Sequence, residues 1–92
     1  MADIRVRLSI HGVVQGVGFR WFTKREADWF NLAGWVRNEP DGSVTAEVEG
    51  ETGLVKDFIQ ALKTGNRYAH VTRIAEEPLE LTLESPPFSI RY

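Results

Sequence analysis

Ile4, Val6, Leu8 and Ile10 alternate with Arg5, Arg7, Ser9 and His11, the period-two pattern of a strand with one face buried and one wet. Gly12, Gly16 and Gly18 follow, and this density of glycine predicts a loop over residues 12–18. From Phe19 the period changes. Phe19, Phe22 and Phe30 fall within about 80 degrees of one another when successive residues turn by about 100 degrees, while Lys24, Arg25, Glu26 and Asp28 supply polar positions. The segment predicts an amphipathic helix. Asn31, near its end, suits a left-handed terminating conformation, and Gly34 restarts extended chain.

Residues 35–38 and 44–49 predict two strands joined by Glu39, Pro40, Asp41 and Gly42, where proline starts a turn and Asp-Gly favours a hairpin. In the second strand Val44, Ala46 and Val48 face inward, opposite Thr45, Glu47 and Glu49, and Gly50 is expected to break it. Leu54, Val55, Phe58, Ile59 and Leu62 mark a second helix through Thr64, stopped by Gly65. Val71 and Ile74 then suggest a strand, while Leu79, Leu81 and Leu83 alternate after Pro78, so either segment or both are extended. Phe88, Ser89, Ile90, Arg91 and Tyr92 form a last short strand. The order strand, helix, strand, strand, helix, strand predicts an α+β fold. It is the ferredoxin-like βαββαβ sandwich, an antiparallel sheet with two helices on one face. That architecture serves enzymes, RNA binders, metal carriers and regulatory modules alike, so function must be read from a site.

Composition narrows the classes. The 92 residues are 42% apolar, 26% charged and 11% aromatic, the make-up of one globular domain spanning residues 1–92. The absence of cysteine removes disulfides, thiolate zinc sites and cysteine nucleophiles together, and points to a reducing compartment. A formal net charge of −2 gives no general attraction for polyanions, so no nucleic-acid partner is expected. No apolar run reaches the roughly 18 residues that cross a bilayer, and the opening residues lack a signal-peptide plan. The chain reads as a cytoplasmic, soluble monomer with no membrane partner.

The most informative segment is Gly12-Val13-Val14-Gln15-Gly16-Val17-Gly18-Phe19-Arg20, which leaves a strand and enters a helix N-terminus. Successive backbone amides in such a turn converge on an anion, glycine permits close approach, and the helix dipole adds favourable field. Arg20 falls in the first helical turn, where its planar fork can hold two oxygens of a phosphate. Two generic phosphate motifs fail here. No Gly-Lys-Ser/Thr follows, as a Walker loop requires, and the position three after Gly18 is Trp21 where the dinucleotide fingerprint has a small residue. The alternative is a plain glycine turn with a surface arginine.

Gly12 through Arg20, followed by Ala27, Gly34-Trp35-Val36-Arg37-Asn38, Asp41-Gly42-Ser43-Val44 and Gly50, closely resembles the acylphosphatase family. The resemblance runs to the closing Phe88-Ser89-Ile90-Arg91-Tyr92. It implies a small hydrolase, with no metal and no cofactor, that cleaves carboxyl-phosphate anhydrides into a carboxylate and phosphate. By position in the motif, Arg20 matches the phosphate-binding arginine and Asn38 the residue that orients the attacking water. The backbone amides of Gln15, Gly16, Val17, Gly18, Phe19 and Arg20 match the phosphate cradle, and the partner is a small-molecule acyl phosphate. Asn31 stands where family members usually carry glycine, His70 where many carry arginine, and residues 68–87 match poorly.

His11 and His70 lie far apart in a chain without cysteine and lack His-x-x-x-His spacing, a poor basis for a metal site. Trp29 and Trp35 read as core or core-rim residues, and Lys24 and Arg25 as a solvated face. Trp21, about 200 degrees round the helix from Phe19, reads either as a rim of the site or as a surface aromatic. Residues 15–22 loosely echo the RNA-recognition octapeptide of the same fold, yet Gln15 replaces its basic residue, Val17 its aromatic, and the segment is not on a central strand. A regulatory small-ligand module, or a domain of this type that binds without turnover, is the remaining rival.

Overall fold

The computed structural model, describing residues 2–92, runs β1 (Asp3–Val13), α1 (Phe19–Trp29), β2 (Ala33–Asn38), β3 (Val44–Glu51), α2 (Thr52–Thr64), β4 (His70–Leu79) and β5 (Ser89–Arg91). The sheet order is β4-β1-β3-β2-β5. Strands β1 to β4 pair antiparallel, giving the ferredoxin-like sandwich, while β5 adds a parallel edge beside β2 and makes the sheet mixed there.

Both helices cover the face that carries Val6, Leu8, Ile10, Val36, Val44, Ala46 and Val48. Helix α1 buries Phe19, Phe22, Thr23 and Ala27 against it, and α2 buries Val55, Phe58, Ile59 and Leu62. Each set repeats at three- and four-residue spacing, which keeps an apolar stripe on the core. Asn31 terminates α1 in the left-handed region at φ 56°. Helix α2 opens on Glu51, whose carboxylate accepts from the amides of Gly53 at 2.9 Å and Leu54 at 3.1 Å, and it closes as Gly65 N donates to Ala61 O.

Four expectations are corrected. Gly12 does not begin a loop. Strand β1 continues through Val13, with a bulge between His11 and Gly12 against β4, and glycine is required because a Cβ at its φ of 126° would collide with His70 O. Gly50 likewise stays inside β3, where a Cβ would strike the Leu32 side chain. Trp29 is 81% exposed; it is the last helical residue, and fully buried Leu32 closes the core there instead, its amide donating to Ala27 O at 2.9 Å. Lys24 is not merely solvated, since Nζ donates to both Asp28 and Phe88 O at 2.8 Å and ties α1 to the entry of β5. The open choice beyond residue 70 resolves as one strand. Pro78 is tolerated because β4 lies at the sheet edge, and Leu81 and Leu83 lie in irregular chain.

The face without helices holds Arg5, only 4% exposed. Its guanidinium donates to Glu47 at 3.0 Å and to Glu49 at 2.9 Å, and Arg7 reaches Glu47 at 2.8 Å. Glu49 also accepts from Thr82 N and Leu83 N, so the segment after β4 is pinned across this end of the sheet. No buried side-chain polar atom lacks a partner among the described residues. Burial pushes the Glu47 carboxyl up, but the hydrogen bonds from Arg7 and Arg5 outweigh it and leave the group below its ordinary 4.5. A depressed carboxyl stabilises the fold fully above the unfolded value and loses that contribution as pH falls through the folded one. Glu47→Gln is therefore expected to cost about 3 kcal/mol near neutral pH, the scale of a broken buried pair. It is also expected to flatten the loss of stability below pH 4.5; denaturant melts across the acid range, with an unchanged acid slope in the variant, would count against this role.

Candidate active site

Strands β1 and β2 both run antiparallel to β3, so Val13 and Asn38 finish at the same end of the sheet, where α1 begins. Asn38 pairs with inward Val44 and stands two residues past buried Val36. The two-residue period thus directs it to the covered face. Between β1 and α1 the chain turns at Gly16 (φ 75°) and Gly18 (φ 73°), both left-handed and both with open space where a Cβ would stand. Gly18 is the N-cap of α1, with no side chain capping the helix and no acid in its first turn. The first amides therefore keep their donors, and the positive end of the dipole has no local carboxylate. Such an end favours an anion.

A cavity of about 100 Å³ opens there, lined by Val14, Gly16, Gly18, Phe19, Arg20, Trp21 and Asn38. Arg20 and Asn38, far apart in sequence, are thereby brought to one hollow. Trp21 is 62% exposed and forms part of its rim, so it is at once a surface aromatic and a neighbour of the hollow. The side chains of Gln15 and Val17 turn away from the hollow. Val17 packs against the core, and Gln15 Nε2 donates to Glu39 O and Ser43 O, each at 2.8 Å. These two carbonyls belong to the turn that follows Asn38, so the Gln15 side chain braces the glycine loop against β2. Gln15→Ala is expected to cost about 1–2 kcal/mol, two modest neutral hydrogen bonds; a melting temperature equal to the wild type would remove the bracing role.

The sequence reading missed this brace and a second support. Arg20 Cζ lies 4.6 Å from the centroid of the Tyr92 ring, with Nη1 3.4 Å from Arg91 O. Residues 91 and 92, at the β5 edge of the sheet, thus lean on the arginine, a contact no local motif announces. Trp35, buried as expected, stacks under Arg91 and Arg37 at 4.4 and 5.1 Å.

Among the described residues, no carboxylate or imidazole lines the cavity. The carboxylates of the adjoining turn are occupied elsewhere: the hydrogen bond from Arg37 holds Glu39 below the usual range, and that from Ser43 does the same for Asp41. Among the described residues no three His, Cys, Asp or Glu side chains stand close enough to hold a metal ion. The hollow offers fixed donors, one cationic fork and one amide side chain. These groups suit an anion and include neither an acid nor a base, and they are set in an α+β sandwich.

The sequence model described as acylphosphatase matches residues 6–90. An acylphosphatase of Chlorobaculum tepidum is 40% identical over 90 residues, covering 98% of each chain. One from a Nocardioides species is 51% identical over 69 residues, 75% of this chain and 70% of that one. The crystal structure of acylphosphatase from Bacillus subtilis superposes with a TM-score of 0.91 at 39% identity, covering 97% of this chain and 99% of that one. The chain belongs to the acylphosphatase family. It is a hydrolase acting on acyl phosphates, and no helix among the described residues is long and apolar enough to cross a membrane.

Proposed function

We propose that hydrolysis takes place in the hollow between the glycine loop and the end of β2, with Arg20 and Asn38 as catalytic residues. The backbone amides of Gln15 to Arg20 and the Arg20 fork hold the phosphoryl oxygens. Asn38 holds the water, its amide and carbonyl on one short stem able to donate and accept at once. The observation that carries this reading is the meeting of Arg20 and Asn38 at one cavity beside an uncapped helix start.

The chemistry needs nothing further. Water oxygen bonds to phosphorus as the bond from phosphorus to the acyl oxygen breaks, and that electron pair leaves on the carboxylate. The carboxylic acid has a pKa of about 4, so its anion departs at neutral pH without a general acid. The proton released by water passes to a phosphoryl oxygen, giving dihydrogen phosphate, which then equilibrates with solvent. What remains for the protein is positioning and charge stabilisation, the two demands of phosphoryl transfer. A pocket lined with neither carboxylate nor imidazole suits this leaving group and suits a phosphate monoester poorly, because an alkoxide requires protonation.

Hydrolysis of benzoyl phosphate, followed by loss of ultraviolet absorbance with a metal chelator present, tests the reading. Turnover is expected to persist in chelator, with an alkyl phosphate monoester untouched. Abolition by chelator would refute metal-free catalysis, and equal monoester turnover would refute the absence of acid assistance.

A further inference from the structure

Beside the phosphate hollow lies a larger groove of about 460 Å³ between the exposed side of α1 and the turn before β4. The two hollows share Gly18 and Trp21, so a substrate held by its phosphate can continue directly into the groove. Phe22 floors it, and Trp21 and Tyr68 wall it with 62% and 70% of their surface exposed. Arg25 and Arg67 complete the lining, and no carboxylate belongs to it. Arg25 approaches only Glu26, at 3.8 Å, and Arg67 has no carboxylate partner among the described residues; each guanidinium instead lies over an aromatic ring.

Resting on the function proposed above, we infer that this groove receives the acyl half of the substrate and selects acyl groups built on a flat ring with an anionic group at the far end. Aromatic walls favour a planar apolar body. The two arginines attract a second negative charge, in a protein whose net charge is itself −2.

The test is the ratio of kcat/KM for 4-carboxybenzoyl phosphate to that for benzoyl phosphate, in the wild type and in a variant with Arg25→Gln and Arg67→Gln. The expected result is a ratio about fivefold to tenfold lower in the variant, two partly exposed ion pairs having been lost. A general structural defect lowers both substrates together and leaves the ratio where it was, which would overturn the inference. If the wild type hydrolyses neither compound, the function proposed above fails. Calorimetric binding of the inert benzoylphosphonate and its 4-carboxy derivative then decides separately: a carboxylate preference lost in the variant supports the groove, and equal binding overturns it.

Discussion

Replacing Asn38 by alanine is expected to lower kcat on the order of a thousandfold or more, while inorganic phosphate still binds within about twofold of the wild type. The two halves of this result follow from where Asn38 stands. It is the last residue of β2, fixed by pairing with Val44, and it meets the cavity from the side opposite the glycine loop. The loop amides and Arg20 belong to other elements and do not depend on its side chain for their placement. In the proposed mechanism, removing the amide therefore leaves the anion cradle and takes away the group that aligns water. Asn38→Asp separates alignment from basicity, because a carboxylate can accept from water but adds a negative charge beside a phosphoryl dianion. Poor turnover in both variants would support alignment, whereas full activity in Asn38→Ala would remove Asn38 from the mechanism.

Arg20→Ala produces the second large effect. Loss of one preorganised charge contact to the phosphoryl oxygens is expected to lower kcat/KM on the order of a hundredfold to a thousandfold, and unlike Asn38→Ala it weakens phosphate binding as well. Among the described residues Arg20 is the only charged side chain that lines the hollow, so no neighbour there substitutes for it. Lysine is expected to recover only a small part, since an ammonium cannot grip two oxygens in one plane and does not stack on Tyr92 as the guanidinium does. Phosphate affinity by calorimetry and kcat/KM measured on the same variants check both claims. A variant that keeps phosphate affinity while losing turnover would move Arg20 from binding to another role.

Much of this arrangement is legible in the residues. The alternation from Ile4 to His11, the stripes of α1 and α2, and the turn at Asp41 and Gly42 each report a local period that the backbone obeys. The candidate site is legible for a different reason: Gly16 and Gly18 between a strand and a helix, then an arginine in the first turn, are the local pattern that suits an anion. Local reading failed where a residue answers to a distant neighbour. Gly12 and Gly50 look like breaks, yet each makes room within a strand, one for the backbone of β4 and the other for Leu32. Trp29 keeps the helical period but falls at the last helical residue, beyond what the core covers. The alternation that put Arg5 on the face away from the helical core is right, but that face is not wet there: the segment crossing over it through Thr82 buries it, which periodicity does not contain. Gln15 as a brace and Tyr92 as a rest for Arg20 depend on contacts across 24 or more residues, and no spacing rule reaches that far.

The central claim is that water, aligned by Asn38, attacks phosphorus in the hollow of the glycine loop. Hydrolysis of an acyl phosphate in water enriched in oxygen-18, with product masses read by mass spectrometry, tests it most directly. The expected result is label in inorganic phosphate and none in the carboxylate, produced by the wild type and lost in step with turnover in Asn38→Ala. Label in the carboxylate would place the attack on the acyl carbon and contradict the account.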